Sequence, residues 1–484
     1  MTSSKSASSP LVRYGAYGVG AAAILVLIAG LVVYSINQGR FEPSLPKPPA
    51  SKAADSAEAQ RQDLDYLRNL AKLDRTFTEE TAKAFQEKID LALKDAGTMS
   101  PVRFELEVAG AVAQANNVET AVISTERRRR LHRLPVRFVP FAEGAYITKT
   151  TVAFGDLLGA RLLAIGGVPM EEAMGRFDAY LSGPDWARRY LARDLLQSPE
   201  ALQAVGLSDQ SDSAVLTFLL PSGATETRKL NALPGTLDGL PDYLPWMDLA
   251  PGISPGREDE NWLELLANPD RVPVTENNIA EPVSFVRMNK PNAILVAINP
   301  NELTDAELTA RLDAVLVGLR EMTPHHLIIN LRRTGAIKPG ATLAAYNSFI
   351  QALPQALPNG AVYILTGPGT GSLGVELIAR LQASVVDRVL TLGLPPGQVR
   401  RHWAASGLRL TLPNSGISVS IATRLRDVEK GCTSWSDCGF AASRNSLAQG
   451  AFNMDVTFIQ RLADYSQGKD TAIEVINALM GQPD

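Results

Sequence analysis

The residue best placed by type and spacing to do chemistry is Ser372. It stands in AVYILTGPGTGSLGVELIARL, where an apolar run reads as a buried strand, a Gly-rich turn follows, and an amphipathic helix begins at the serine. A serine at such a helix start lies above the end of a sheet, where neighbouring backbone N–H groups can bind an oxyanion. The alternative is that Ser372 or Thr370 is simply an N-cap. A second Gly-containing turn, RRTGAIKPGAT after HLIINL, points to the same edge, so the Gly335 and Gly371 turns are the candidate oxyanion donors. A hydroxyl needs an adjacent base to be a useful nucleophile near pH 7. The chain has four histidines: His132, His325, His326 and His402. His132 lies in RRRRLHRL, a solvated basic face, and His325 and His326 precede a strand at its amino end. His402, 30 residues after Ser372, is the one that can fold back over the serine. Cys432 and Cys438 enclose TSWSD in a Gly-flanked stretch. A loop this small is easily closed by a disulfide in an oxidising compartment, with two free thiols as the alternative. Zinc would need two more ligands, and none lies close in sequence. No motif implies a cofactor.

The elements that must position these groups follow from periodicity. From Val283 onward, strands (AILVAIN, HLIINL, AVYILTG, VDRVLTLG) alternate with helices over 304–322, 341–353 and 373–383. Continuous apolar strands separated by helices predict a mainly parallel sheet covered on both faces, an α/β core over 281–484. Residues 60–133 read as a small helical module. Leu64, Leu67, Leu70 and Leu73 form one stripe, Thr76 to Glu79 fits a capping box, and Ser100 precedes Pro101 at a helix start. Residues 134–280 read as a β-rich unit with a long excursion after Asn231. Its strand ending in Gly-Gly-Val-Pro, helix and hairpin resemble the order of a PDZ-like unit, although no Gly-Leu-Gly-Phe loop is present.

Between Arg13 and Arg40 lie 26 residues without a charge, and Ala16 to Tyr34 is almost continuously apolar. Such a run spans a hydrocarbon core of about 30 Å. It is long for a signal peptide and lacks a clear small-x-small cleavage site. The expectation is an uncleaved transmembrane anchor over 16–36, a cytoplasmic tail over 1–15 and a Pro/Ala/Ser/Lys linker over 37–59 that holds the body outside the cytoplasm. The Arg127–Arg130 run with Arg133 reads as a solvated loop, or alternatively as a surface for an anionic partner. With 47 Lys and Arg against 51 Asp and Glu, the net charge is −4, which argues against nucleic acid as the main partner.

At the level of motifs, INLRRTG…VYILTGPGTGSLGVELIARL…VLTLGLPPG…LRLTLPNSGISVSIAT resembles the core of the tail-specific (C-terminal processing) serine peptidases. It is most similar to their less studied branch, which is crotonase-like in fold. Upstream, ANNVETAVIS…LPVRFVPFAEGAYI resembles that branch's acidic-Gly-His-Thr motif and the strands after it. The resemblance covers roughly 60–480 and implies the order helical module, PDZ-like unit, α/β core. It also implies a serine nucleophile at Ser372 and a polypeptide substrate. The motifs are degenerate: Glu119 occupies the upstream histidine position, Asn330 stands for the Asp of Asp-Leu-Arg, and Arg333 and Thr334 interrupt the Gly-rich turn. No lysine follows the serine where the family's general base falls. Two functions follow. One is a membrane-anchored extracytoplasmic serine peptidase with Ser372 as nucleophile, His402 as base and Glu119 orienting a base or the substrate amine. The other is a non-catalytic relative binding a polypeptide or an apolar ligand.

Overall fold

The structure, a computed structural model, describes residues 39–123, 131–233, 245–252, 261–299, 303–338, 343–439 and 446–481. The expected tail, membrane anchor and Arg127–Arg130 run lie outside the described residues. Among those described, no helix is long and apolar enough to cross a membrane.

Four helices open the described chain: α1 (Ser56–Leu67), α2 (Leu70–Leu73), α3 (Glu79–Lys94) and α4 (Pro101–Val112). The leucine stripe is buried at Leu64, Leu67 and Leu70 against Phe85, Ile89 and Phe104. The capping box sits two residues later than the sequence suggests. Thr78, not Thr76, caps α3 and exchanges hydrogen bonds with Thr81. Thr76 instead gives its N–H to the Asp74 carboxylate (2.8 Å). The segment read as a free linker is tied down where it is described, because Phe41 is buried and Arg424 lies 4.4 Å over its ring.

The β-rich unit holds β1 (Val136–Phe141), β2 (Gly144–Thr151), β3 (Arg161–Ile165), β4 (Val168–Pro169), α5 (Met170–Gly175), α6 (Asp185–Leu196), α7 (Pro199–Ala204), β5 (Ser213–Leu219) and β6 (Thr225–Asn231). The strands pair antiparallel in the order β1-β2-β3-β5-β6, and β7 (Trp262–Glu264), from the excursion, pairs with β2. Arg133, read as part of a solvated basic run, is buried and paired with Asp194 at 3.1 Å.

The third unit is a six-stranded sheet. Along the chain come β8 (Val283–Met288), β9 (Ala293–Ile298), α8 (Asp305–Met322), β10 (His326–Asn330), α9 (Ala344–Ala356), β11 (Ala361–Thr366), α10 (Ser372–Ser384) and β12 (Val389–Gly393). Strands β9 to β12 are parallel neighbours in chain order, and β8 closes one edge antiparallel. Helices α8, α9 and α10 bury one face through Leu312, Phe349 and Leu377.

The chain then leaves the sheet for a long hairpin, β13 (Arg401–Thr411) and β14 (Ser418–Asp427), followed by α11 (Trp435–Cys438). Cys432 and Cys438 are joined, with Cα atoms 6.4 Å apart. A two-residue strand, β15 (Val456–Thr457), pairs with β12. Beyond α12 (Leu462–Tyr465), α13 (Thr471–Leu479) covers the second face through Ile473 and Ile476. The hairpin packs on the helical module, where Leu410, Ile417, Val419 and Ile421 complete the core around Phe85.

The LPNSG segment is the tip of this hairpin, and its job is mechanical. The buried Asp63 carboxylate on α1 accepts the N–H groups of Asn414 and Ser415, each at 2.8 Å, and the Asn414 amide at 3.1 Å. Removing the carboxylate leaves both backbone donors without their acceptor, at a cost of about 2–4 kcal/mol. Asp63→Ala should therefore lower the urea midpoint accordingly without touching Ser372. A midpoint equal to wild type would show that the tip is held by something else.

Candidate active site

The site begins where β11 ends. Gly371, not Ser372 or Thr370, is the N-cap of α10, and Ser372 is its first helical residue. The Thr370 hydroxyl serves the turn instead, accepting from the Gly367 N–H (3.0 Å) and donating to the Leu331 carbonyl (2.8 Å). Ser372 is only 2% exposed. Among the described residues its hydroxyl oxygen has one partner, the Ile337 N–H, which donates to it at 2.9 Å. Among the described residues no imidazole, lysine or carboxylate is hydrogen-bonded to it.

Over the serine lies the turn that follows β10. Gly335 takes a left-handed φ of +65°, and its carbonyl accepts the Leu373 N–H at 3.2 Å. A Cβ on Gly371 would stand 2.2 Å from that carbonyl oxygen, so the two turns meet backbone to backbone. From the sequence both turns are expected to offer N–H groups to an oxyanion. In this state the Gly335 turn presents its carbonyl, and the helix-start donor next to the serine is occupied by it.

The turn is held by charges that sequence reasoning read only as interruptions. The Arg332 guanidinium pairs with Asp470 at 2.7 Å, and the buried Arg333 pairs with Glu276 and donates to the Thr275 carbonyl (3.0 Å). The Asn330 amide oxygen accepts from Arg332 Nε at 3.0 Å. Burial pushes the Glu276 carboxyl up, opposed by Arg333 and Arg332. Burial also raises the Asp470 carboxyl, but Arg332 and its hydrogen bonds outweigh that and hold it below its ordinary value. Glu276 and Asp470 lie 57 and 138 residues from their arginine partners, which is why no local pattern revealed them.

Glu119 and His402 are brought together. Glu119 is fixed by the hairpin: its Oε2 accepts the Ala405 N–H at 2.7 Å, and its carbonyl accepts from the Ser420 hydroxyl at 2.6 Å. His402, 7% exposed on β13, has Nδ1 at 2.8 Å from the Val399 carbonyl. A carbonyl can only accept, so Nδ1 carries the hydrogen and the neutral ring leaves Nε2 as a free base. That Nε2 lies 3.9 Å from Glu119 Oε1, and both atoms are buried with no hydrogen-bond partner among the described residues. Burial lowers the His402 pKa below its ordinary value, with Glu119 acting in the opposite direction and Glu376, on the Ser372 helix, adding a smaller upward push. His325 and His326 lie at the amino end of the sheet, as expected, with His326 opposite Ala293 and Ala361. His132 is paired with Glu200 rather than simply solvated. Among the described residues no group of three or more potential ligands could hold a metal ion.

No family model matches the sequence, and no curated protein matches it either. Solved structures do. Mature CPAF complexed with lactacystin aligns over 88% of this chain and 98% of its own, at 12% identity and a TM-score of 0.53. Mature CPAF alone aligns over 88% and 97%, at 13% identity and a TM-score of 0.52. The photosystem II D1 C-terminal processing protease aligns over 86% and 98% at 12% identity, with a TM-score of only 0.33. The chain has a tail-specific-peptidase-like fold.

The buried imidazole makes stability depend on pH. In the unfolded chain His402 titrates near 6.5, whereas the desolvated native ring holds a proton only at lower pH. Between the two values the unfolded state binds more protons, so stability is full above about 6.5 and declines as pH falls below it. His326, also lowered by burial, adds a decline of the same sign. Urea midpoints at about pH 7.5 and pH 5.5 should show a shallower fall in His402→Gln than in wild type. Equal slopes would place the titration elsewhere.

Proposed function

We propose that the chain is a membrane-anchored, extracytoplasmic serine-type peptidase-like protein acting on polypeptide, whose serine turn is closed in this state. The observation that carries the reading is the buried pair His402 Nε2 and Glu119 Oε1. Two proton acceptors with no hydrogen-bond partner among the described residues face each other 3.9 Å apart, beside the helix that starts with Ser372. Such a pair is short of a proton, which is the condition of a base waiting for a hydroxyl. For turnover the Gly335 turn must move. Ser372 Oγ then exchanges the Ile337 N–H for His402 Nε2, gives up its proton to the ring and attacks the scissile carbonyl. The Leu373 N–H, released from Gly335, stabilises the oxyanion, and Glu119 stabilises the imidazolium. The Cys432–Cys438 bond and the apolar run over 16–34 support the extracytoplasmic side.

A second reading has its own observation. The Leu373 N–H and the Ser372 hydroxyl are both engaged by the opposing turn, as in a fold kept for binding rather than cleavage.

A fluorophosphonate probe separates the two. On the peptidase reading, wild type labels, Ser372→Ala does not, and His402→Gln labels about a hundredfold more slowly with unchanged circular dichroism. Absence of labelling in wild type, with unfolded polypeptide present or absent, selects the binding reading. Alkaline phosphatase fused after Asp484 should be active only outside the cytoplasm; activity retained inside would remove the localisation.

A further inference from the structure

Helix α6 crosses from the β-rich unit to the carboxyl edge of the parallel sheet. Trp186 Nε1 donates to the Pro396 carbonyl at 2.7 Å, and a Cβ on Gly369 would stand 3.3 Å from the Tyr190 hydroxyl. One turn further, Arg193 is 4% exposed. Its guanidinium lies 4.5 Å over the Tyr190 ring, and its one hydrogen bond among the described residues is a long contact from Nε to the Tyr190 carbonyl, 3.4 Å.

Under this helix is a cavity of about 170 Å³, bounded by Val139 of β1, by Leu365 and Leu392 at the ends of β11 and β12, and by Phe458. It adjoins the Gly367–Gly369 turn that leads into Ser372. Its charges do not balance. Arg332 is matched by Asp470 and Arg333 by Glu276, but no carboxylate among the described residues lies within ion-pair distance of Arg193. No acceptor among the described residues takes its two terminal nitrogens, and arginine pairs with a planar carboxylate through two parallel hydrogen bonds. One unmatched positive charge suits a monoanion rather than a dianionic phosphate. At about 170 Å³ the cavity is comparable to the ~150 Å³ cavity that admits a benzene-sized group.

We propose that this cavity is a binding site for a monocarboxylate carrying a short apolar group, with Arg193 as the residue that recognises the anion. The site goes beyond the peptidase reading and does not depend on Ser372 turning over. Its position beside the serine turn means that an occupant would touch the Gly367–Gly369 backbone.

Titration calorimetry with hexanoate and hexanamide, which differ in charge but little in shape, tests this on the whole chain. Wild type should bind hexanoate at least about tenfold more tightly than hexanamide. Arg193→Gln should lose that preference, and Arg193→Lys should keep part of it. Ser372→Ala should titrate as wild type, so a loss of labelling leaves this result standing. Equal affinities in wild type, or a preference surviving in Arg193→Gln, would overturn the proposal. Should the glutamine variant not fold, the comparison of the two ligands on wild type still decides. Displacement of hexanoate by an acetylated tripeptide with a free C-terminal leucine, but not by its amide, assigns the carboxylate to a polypeptide tail. Retention of hexanoate against that peptide assigns it to a free fatty acid. Both assignments support the site.

Discussion

A single backbone contact governs the chemistry available to this fold: the Gly335 carbonyl resting on the Leu373 amide. A helix start offers its first N–H groups to whatever acceptor is nearest, and here the nearest acceptor is the protein itself. The same approach places the Ile337 N–H on the serine hydroxyl and removes Ser372 from solvent. The proposed nucleophile and oxyanion donor are thus both engaged by the same few atoms. The contact exists only because position 371 has no side chain, since a Cβ there would overlap the Gly335 carbonyl.

Holding the turn in place takes long-range electrostatics. Arg332 and Arg333 reach in opposite directions from the end of β10, to Asp470 at the start of α13 and to Glu276 in the segment before β8. Buried ion pairs contribute little net stability, but breaking one leaves a desolvated charge, so they fix geometry effectively. The serine turn is consequently tied to both ends of the α/β unit. The His402–Glu119 pair belongs to a different assembly, the hairpin packed on the helical module, where Glu119 is held by Ala405 and Ser420. The proposed base and nucleophile therefore sit on separately anchored elements, and on the peptidase reading the relative position of those elements sets whether they meet.

The sequence made the parallel core legible because each strand is a short apolar run and each helix an amphipathic one. Strands β9 to β12 and helices α8 to α10 stand within a few residues of the periodicity reading. The edge elements escaped it. β7 and β15 are two or three residues long, and β8 has largely exposed outer positions, so none shows a full period. Helices α6 and α7 were hidden by the arginines and prolines around them, and with α6 went Arg193 and its cavity. At the site, the place of Ser372 at a helix start was legible from its turn and helix. His402, singled out by elimination among four histidines, contacts Val399 and Glu119 rather than the serine hydroxyl. Its nearness to Glu119 came only from a motif position, because 283 residues separate them and β13 must fold over the loop before they meet. Arg333 read as a defect in a glycine turn since Glu276, which explains it, lies in a segment without periodicity. LPNSG read as a family mark, whereas its role is visible only once Asp63 is seen beneath it.

Amide hydrogen exchange in the resting protein tests the closed turn most directly. In a closed turn the Ile337 and Leu373 amides should exchange at least about a hundredfold more slowly than in an unstructured peptide, because both are donated into buried acceptors. Unstructured rates at both amides, with the amides of β10 and β11 still protected, would contradict this and show that the turn stands open at rest.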